Sequence, residues 1–184
     1  MPEQFRPHGI SLFTADDGAR TLMVVNHPEG DRHTIEIFDL SANDVLTHRR
    51  TVEDPLIVSP NDVAAISPNA FYVTNDHDQP GMDGRMMASI FASPITTVVF
   101  HDGETSRVVV DELAMANGIA TSQDMSKVYV TELLARTLRI YARDAQSNEL
   151  TPIDQVFLGT GVDNVDVAED GSLWIGAHPQ LATL

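Results

Sequence analysis

Cysteine is absent from this chain, and lysine occurs once, at Lys127. Without thiols there is no disulfide framework, no thiolate nucleophile and no zinc–sulfur site. Positive charge is scarce: 11 Lys and Arg stand against 27 Asp and Glu, for a formal net charge of −16. Nucleic-acid binding needs clustered cations to neutralise phosphates, and docking on anionic membranes needs them too, so both are disfavoured. The acidic surface serves solubility and attracts cations. Long apolar runs are also missing; none approaches the roughly 20 residues of a membrane-spanning helix. Met1 to Arg6 lacks the basic-then-apolar order of a signal peptide, and the compartment stays open. There is no Gly-x-Ser-x-Gly elbow, so a covalent acyl-enzyme is not expected. Gly159-Thr160-Gly161 lacks the rest of a phosphate-binding fingerprint.

What is present is one short phrase, repeated four times. It reads Pro7-His8-Gly9-Ile10, Pro60-Asn61-Asp62-Val63, Ala116-Asn117-Gly118-Ile119 and Val162-Asp163-Asn164-Val165. Each copy sets a polar or imidazole side chain ahead of a short apolar strand. After a turn comes a second apolar strand, ending at His27, Asp76, Glu132 and His178. Asn61 to Asp76, Asn117 to Glu132 and Asp163 to His178 share one separation; His8 to His27 is longer because its turn, Thr14 to Arg20, is longer.

Strand signals dominate the remainder. Thr34 to Leu40 alternates polar and apolar residues, as a half-buried strand does. Asp44 to Glu53 is expected to hold an outer strand and a turn. Thr96 to Phe100, Arg107 to Val110, Thr137 to Ala142 and Leu150 to Phe157 read as further strands. Asp78 to Arg85 reads as a loop over one face, followed by a short helix or ordered loop from Met86 to Phe91. The copies fall about 50 residues apart, which leaves room for about four strands each, the signature of a β-propeller. The expected fold is therefore all-β, built of four-stranded blades. The innermost strand of each blade would gather His8, Asn61, Asn117 and Asp163 or Asn164 around one axis.

Amide and carboxylate oxygens converging without sulfur suit a hard cation, and calcium accepts such a set with loose geometry. Polar residues that merely cap turns are the competing explanation. His8 and His27 bracket the inner strands of the first copy. Histidine titrates near neutrality and can take a proton from water. Beside a cation that polarises a carbonyl, that pair would cleave esters or lactones. His178 matches His27 in the repeat and is expected at the channel mouth. His33, His48 and His101 fall in predicted turns and outer strands and are expected at the surface.

With these residues in place, the chain resembles the serum paraoxonase/arylesterase family. The resemblance is carried by Pro7 to Ser11, Val24 to Pro28, Asn61 to Val63, Thr74 to His77, Ala116 to Ile119, Glu132 to Ala135, Val162 to Val165 and His178-Pro179. Their order spans nearly the whole chain. The resemblance implies a six-bladed propeller with two channel calcium ions that hydrolyses lactones and aryl esters. It implies that Asn61, Asn117, Asp163 and Asn164 hold the catalytic calcium. Asp62 and the backbone carbonyl of Ile10 would hold the second, structural calcium. His8 would be the base with His27 as its relay, and Met115 would stand in the substrate-pocket wall with His178 nearby.

The chain departs from the family pattern in three places. The family's adjacent Glu-Asp pair has no counterpart here, Ala177 replaces a cysteine, and the fourth copy stops after its second strand. Residues 1–184 are accordingly expected to form one partial propeller domain, an open arc. Two other readings remain: a non-catalytic calcium-binding propeller, and a gluconolactonase-like hydrolase with another substrate. The expected partner is a small ester or lactone; oligomeric state is left open.

Overall fold

The computed structural model describes residues 2–30, 32–78 and 94–179. Fourteen strands run through them and no helix occurs among them. The first blade comprises β1 (Pro7–Thr14), β2 (Arg20–Asn26), β3 (Thr34–Leu40) and β4 (Leu46–Val52). The second comprises β5 (Pro60–Ala65), β6 (Phe71–Asn75), β7 (Thr96–His101) and β8 (Ser106–Leu113). The third comprises β9 (Ala116–Thr121), β10 (Lys127–Glu132), β11 (Thr137–Arg143) and β12 (Leu150–Phe157). A final hairpin pairs β13 (Gly161–Val167) with β14 (Leu173–His178). Each four-stranded sheet is an antiparallel meander in chain order. The expected blades are present. The loop and helix expected between Asp78 and Phe91 lie, apart from Asp78, outside the described residues.

The blades stack face to face, which explains why the second strands β2 and β6 carry apolar runs without alternation. β6 is buried along its whole length. Its Phe71 and Val73 pack with Met23, Val25, Ile35 and Ile37 of the first blade. Its Tyr72 faces the other way, onto Ile119, Val128 and Val130 of the third blade. Successive strand residues point to opposite faces, so one run fills two cores. A third, smaller core joins Tyr129 and Leu138 to Val165 of β13. The innermost strands pack in sequence, β1 on β5, β5 on β9 and β9 on β13. They form an arc that the described residues do not close into a ring.

All four copies of the phrase are β-bulges. The ladder slips between Pro7 and Ile10, between Pro60 and Val63, opposite Val130 and Glu132 in β9, and between Val162 and Val165. The polar residues thus sit within the inner strands, not ahead of them. A bulge adds one unpaired residue and re-aims its side chain.

Glycine makes the arc tight. A Cβ on Gly9 would lie 2.5 Å from Asp62 Oδ1 and 2.6 Å from the Asn61 carbonyl oxygen. One on Gly118 would lie 2.6 Å from Asn164 Cα. Every second copy carries glycine at the position where its neighbour carries Asp62 or Asn164. Adjacent inner strands approach closely because one of each pair has no side chain there.

Candidate active site in the channel

The inner strands border an open cleft of about 590 Å³, lined from the three blades and the final hairpin by His8, Asp62, Ile119 and Asn164 among others. Ile10 and Leu12 of β1 lie exposed along it.

His8 Nδ1 meets His27 Nε2 at 3.2 Å, so the structure brings the sequence-predicted pair together. The chain of imidazoles continues, because His27 Nδ1 meets His33 Nδ1 at 2.8 Å. His33 was expected at the surface but is buried. The cause is register: Asn26 pairs with Thr34 at the end of the β2–β3 ladder, so His27 and His33 face each other just beyond it. The same correction applies elsewhere. His101 is buried and stacks on Phe71 at 5.0 Å between ring centroids. His48 is half-buried and bonds to the Glu36 carboxylate at 2.8 Å. Both imidazoles are covered from within their own sheet, His101 by Phe71 across the β6–β7 ladder and His48 by Phe38 across the β3–β4 ladder, which a turn-and-strand reading does not anticipate.

Asn61 donates from Nδ2 to Asp76 Oδ2 at 3.4 Å, which leaves its amide oxygen for other contacts. Asp76 also accepts from Ser59 Oγ at 2.5 Å and contacts His77 Nδ1 at 2.7 Å. Burial pushes the Asp76 carboxyl up, but its bonds to His77, Ser59 and Asn61 outweigh this and hold it below the usual carboxylate range. Asn117 is buried and its Oδ1 has no hydrogen-bond partner. An orphaned buried acceptor is uncommon and calls for a specific cause. Asp163 Oδ2 bonds to His178 Nε2 at 2.6 Å, while Asn164 is exposed in the cleft.

Asp62 lies between blades. Its Oδ1 accepts the backbone N–H of Val63 at 2.9 Å and its Oδ2 that of Ile119 at 3.0 Å. Burial is the largest influence on this carboxyl and pushes it up to about 6, with the nearby Asp163 charge adding to the rise. The Gly9–Ile10 segment lies against Asp62, as the close approach at Gly9 requires. Among the described residues, no three His, Asp or Glu side chains gather in a metal-holding arrangement. The candidate ligands are mostly amides and a carbonyl. Met115 is half-buried just ahead of β9 and holds a left-handed backbone, with φ of 62°. Its carbonyl accepts the N–H of Leu133 at 3.0 Å, which fixes it against the end of β10.

Two threonines organise the bulges. Thr74 Oγ1 accepts the N–H of Asp62 at 3.1 Å and donates to the Asn117 carbonyl at 2.5 Å. Thr131 repeats this one blade on, accepting from Gly118 N at 2.8 Å and donating to the Asp163 carbonyl at 2.5 Å. Each hydroxyl satisfies a bulged N–H in its own blade and grips the phrase of the next. The parallel between Val73-Thr74-Asn75 and Val130-Thr131-Glu132 was a signal available in the sequence.

Residues 2–184 match the family model described as Arylesterase. The chain belongs to the arylesterase family. It is 39% identical over 180 residues to serum paraoxonase/arylesterase 1 of Homo sapiens, covering 95% of this chain and 49% of that protein. It is 36% identical over 179 residues to serum paraoxonase/lactonase 3 of Mus musculus, covering 96% of this chain and 50% of that protein. The chain thus spans about half the length of the curated relatives it matches. Among solved structures it is similar to the periplasmic gluconolactonase of Pseudomonas aeruginosa, with a TM-score of 0.56 at 13% identity, over 91% of this chain and 49% of that one. It is also similar to a luciferin-regenerating enzyme, with a TM-score of 0.56 at 16% identity, over 93% of this chain and 55% of that one. At such low identities these structures establish the fold of this arylesterase-family chain and no more.

Proposed function

We propose that this chain carries the channel face of a calcium-dependent hydrolase of lactones and aryl esters. The observation that carries the reading is the His8 Nδ1 to His27 Nε2 contact at 3.2 Å, with His8 on a cleft that Asp62 and Asn164 of two other bulges also line. The donor set fits a hard cation: Asn117 Oδ1 is buried and unspent, and Asn61 has committed only its Nδ2. Asn61, Asn117, Asp163 and Asn164 would hold the catalytic calcium, and Asp62 with the Ile10 carbonyl the second. When bound, calcium supplies Lewis acidity toward the carbonyl oxygen of the substrate.

The rest is work for the chain's own residues. His8 takes a proton from water at Nε2, and His27 accepts the His8 Nδ1–H and fixes the orientation of its ring. His178, bonded to Asp163, and Met115 would wall the pocket for a small ester or lactone. Phenyl acetate and a lactone, assayed with calcium and after EDTA treatment, test this. Loss of turnover on chelation is expected, and His8→Gln is expected to cost on the order of 10²–10⁴-fold in kcat. Activity that survives complete calcium removal, or full-rate turnover by His8→Gln, overturns the reading.

A non-catalytic calcium-binding propeller is the second reading. It is favoured by the commitment of Asp62 to two backbone N–H groups and of Asp163 to His178. Calcium binding with no turnover on any ester or lactone selects it.

A further inference from the structure

We infer that His33 is a positioning residue that sets the tautomer of His27 and, through it, the nitrogen at which His8 is free to act. The inference rests on the reading of His8 as the base. It follows from proton counting along the two imidazole contacts.

A neutral imidazole carries one N–H and one acceptor nitrogen. His8 Nδ1 is taken up by His27 Nε2. For His8 to accept a proton at Nε2, its own proton must sit on Nδ1 and be donated to His27 Nε2. His27 then carries its proton on Nδ1, which faces His33 Nδ1 at 2.8 Å. His33 must therefore accept there. The rings meet edge to face, with centroids 5.0 Å apart and planes at 84°. His33 is buried, and the end of the β2–β3 ladder holds it opposite His27. The alternative tautomer reverses every bond: His27 would donate from Nε2 to His8 Nδ1, and the His8 proton would move to Nε2, where it blocks base action. Free histidine in water favours the Nε2–H form, so His27 needs an acceptor beyond it to hold the productive one. The hydrogen bond at one ring nitrogen decides which nitrogen carries the proton. His33 supplies that bond.

The test uses the full chain labelled with ¹⁵N, with the His27 signals assigned by their loss in His27→Gln. Imidazole ¹⁵N shifts are expected to report an Nδ1–H His27 in the wild type. In His33→Phe, which fills the space without an acceptor, His27 is expected in the Nε2–H form. kcat on phenyl acetate should fall on the order of 10–100-fold, as when an orienting partner is lost, with KM unchanged. His33→Asn places an oxygen near the Nδ1 position and is expected to restore both the tautomer and the rate. An Nε2–H His27 in the wild type, an unaltered tautomer in His33→Phe, or a His33→Asn variant that behaves like His33→Phe overturns the inference. A wild type without turnover counts against His8 as a base, and the spectra still decide the role of His33.

Discussion

The Asp62 carboxylate in β5 accepts the backbone N–H of Ile119 in β9 at 3.0 Å. Neighbouring blades do not share a hydrogen-bonded ladder, so a side chain from one blade satisfies the inner strand of the next. Around it, Ser11 Oγ accepts the N–H of Ala65, and Thr74 and Thr131 donate to the Asn117 and Asp163 carbonyls. The channel phrases are locked to one another by these few bonds.

Asp62→Ala should leave the Ile119 N–H buried without a partner. Such a loss costs about 1–3 kcal/mol, or a fall in Tm of roughly 2–12 °C for a chain of this size. Calorimetry in EDTA measures it with no metal contribution; an unchanged Tm would show that the bond does not tie the blades.

Gly118→Ala is expected to be worse. The added Cβ would sit 2.6 Å from Asn164 Cα and 2.7 Å from Val165 N, so backbone must move on both sides. Overpacking of this kind costs about 1–3 kcal/mol, occasionally more. Gly18→Ala is the control, since nothing lies within 4 Å and only the φ of +82° is strained. Urea midpoints should rank wild type, Gly18→Ala and Gly118→Ala in falling order.

Glu36 gives a pH dependence. It is buried, which pushes its carboxyl up, but bonds from Thr51, Thr34, His48 and Asn26 outweigh the burial and set it below 4.5. A carboxyl lowered by folding contributes stability that is complete above its unfolded value and lost as pH falls through the folded one. Glu36→Gln should cost about 1–3 kcal/mol at pH 7. It should also flatten the decline of Tm below about pH 4.5. Equal acid slopes for the two proteins would count against this account.

Calcium should stabilise the chain by mass action, by about 2.7 kcal/mol at a hundred times Kd. Asn117→Ala removes the unspent Oδ1 and should shrink that gain in a thermal titration, with little effect on Tm in EDTA. A calcium response of equal size in the variant would remove Asn117 from the ligand set.

Much of the fold was legible because its determinants are local. Leu150 to Phe157 reads as a strand and is one; Asp44 to Glu53 contains β4. The repeat spacing foretold blades, and the contact of His8 with His27 was anticipated from the repeat and the resemblance. The bulges were not legible, since a slip in register depends on the partner strand. Nor was the third imidazole: His33 lies in what reads as a turn after two charged residues, and only the β2–β3 ladder sets it facing His27.

By itself, the sequence determined an all-β chain of repeated blades that places Asn, Asp and His at equivalent points, because alternation, turn residues and period are written along the chain. Tertiary structure alone decided how those points relate. Gly9 admits Asp62, Gly118 admits Asn164, and Thr74 and Thr131 grip the next blade. These are contacts between residues about 30–55 positions apart, and backbone approach and hydrogen-bond direction across blades are set by packing rather than by local pattern.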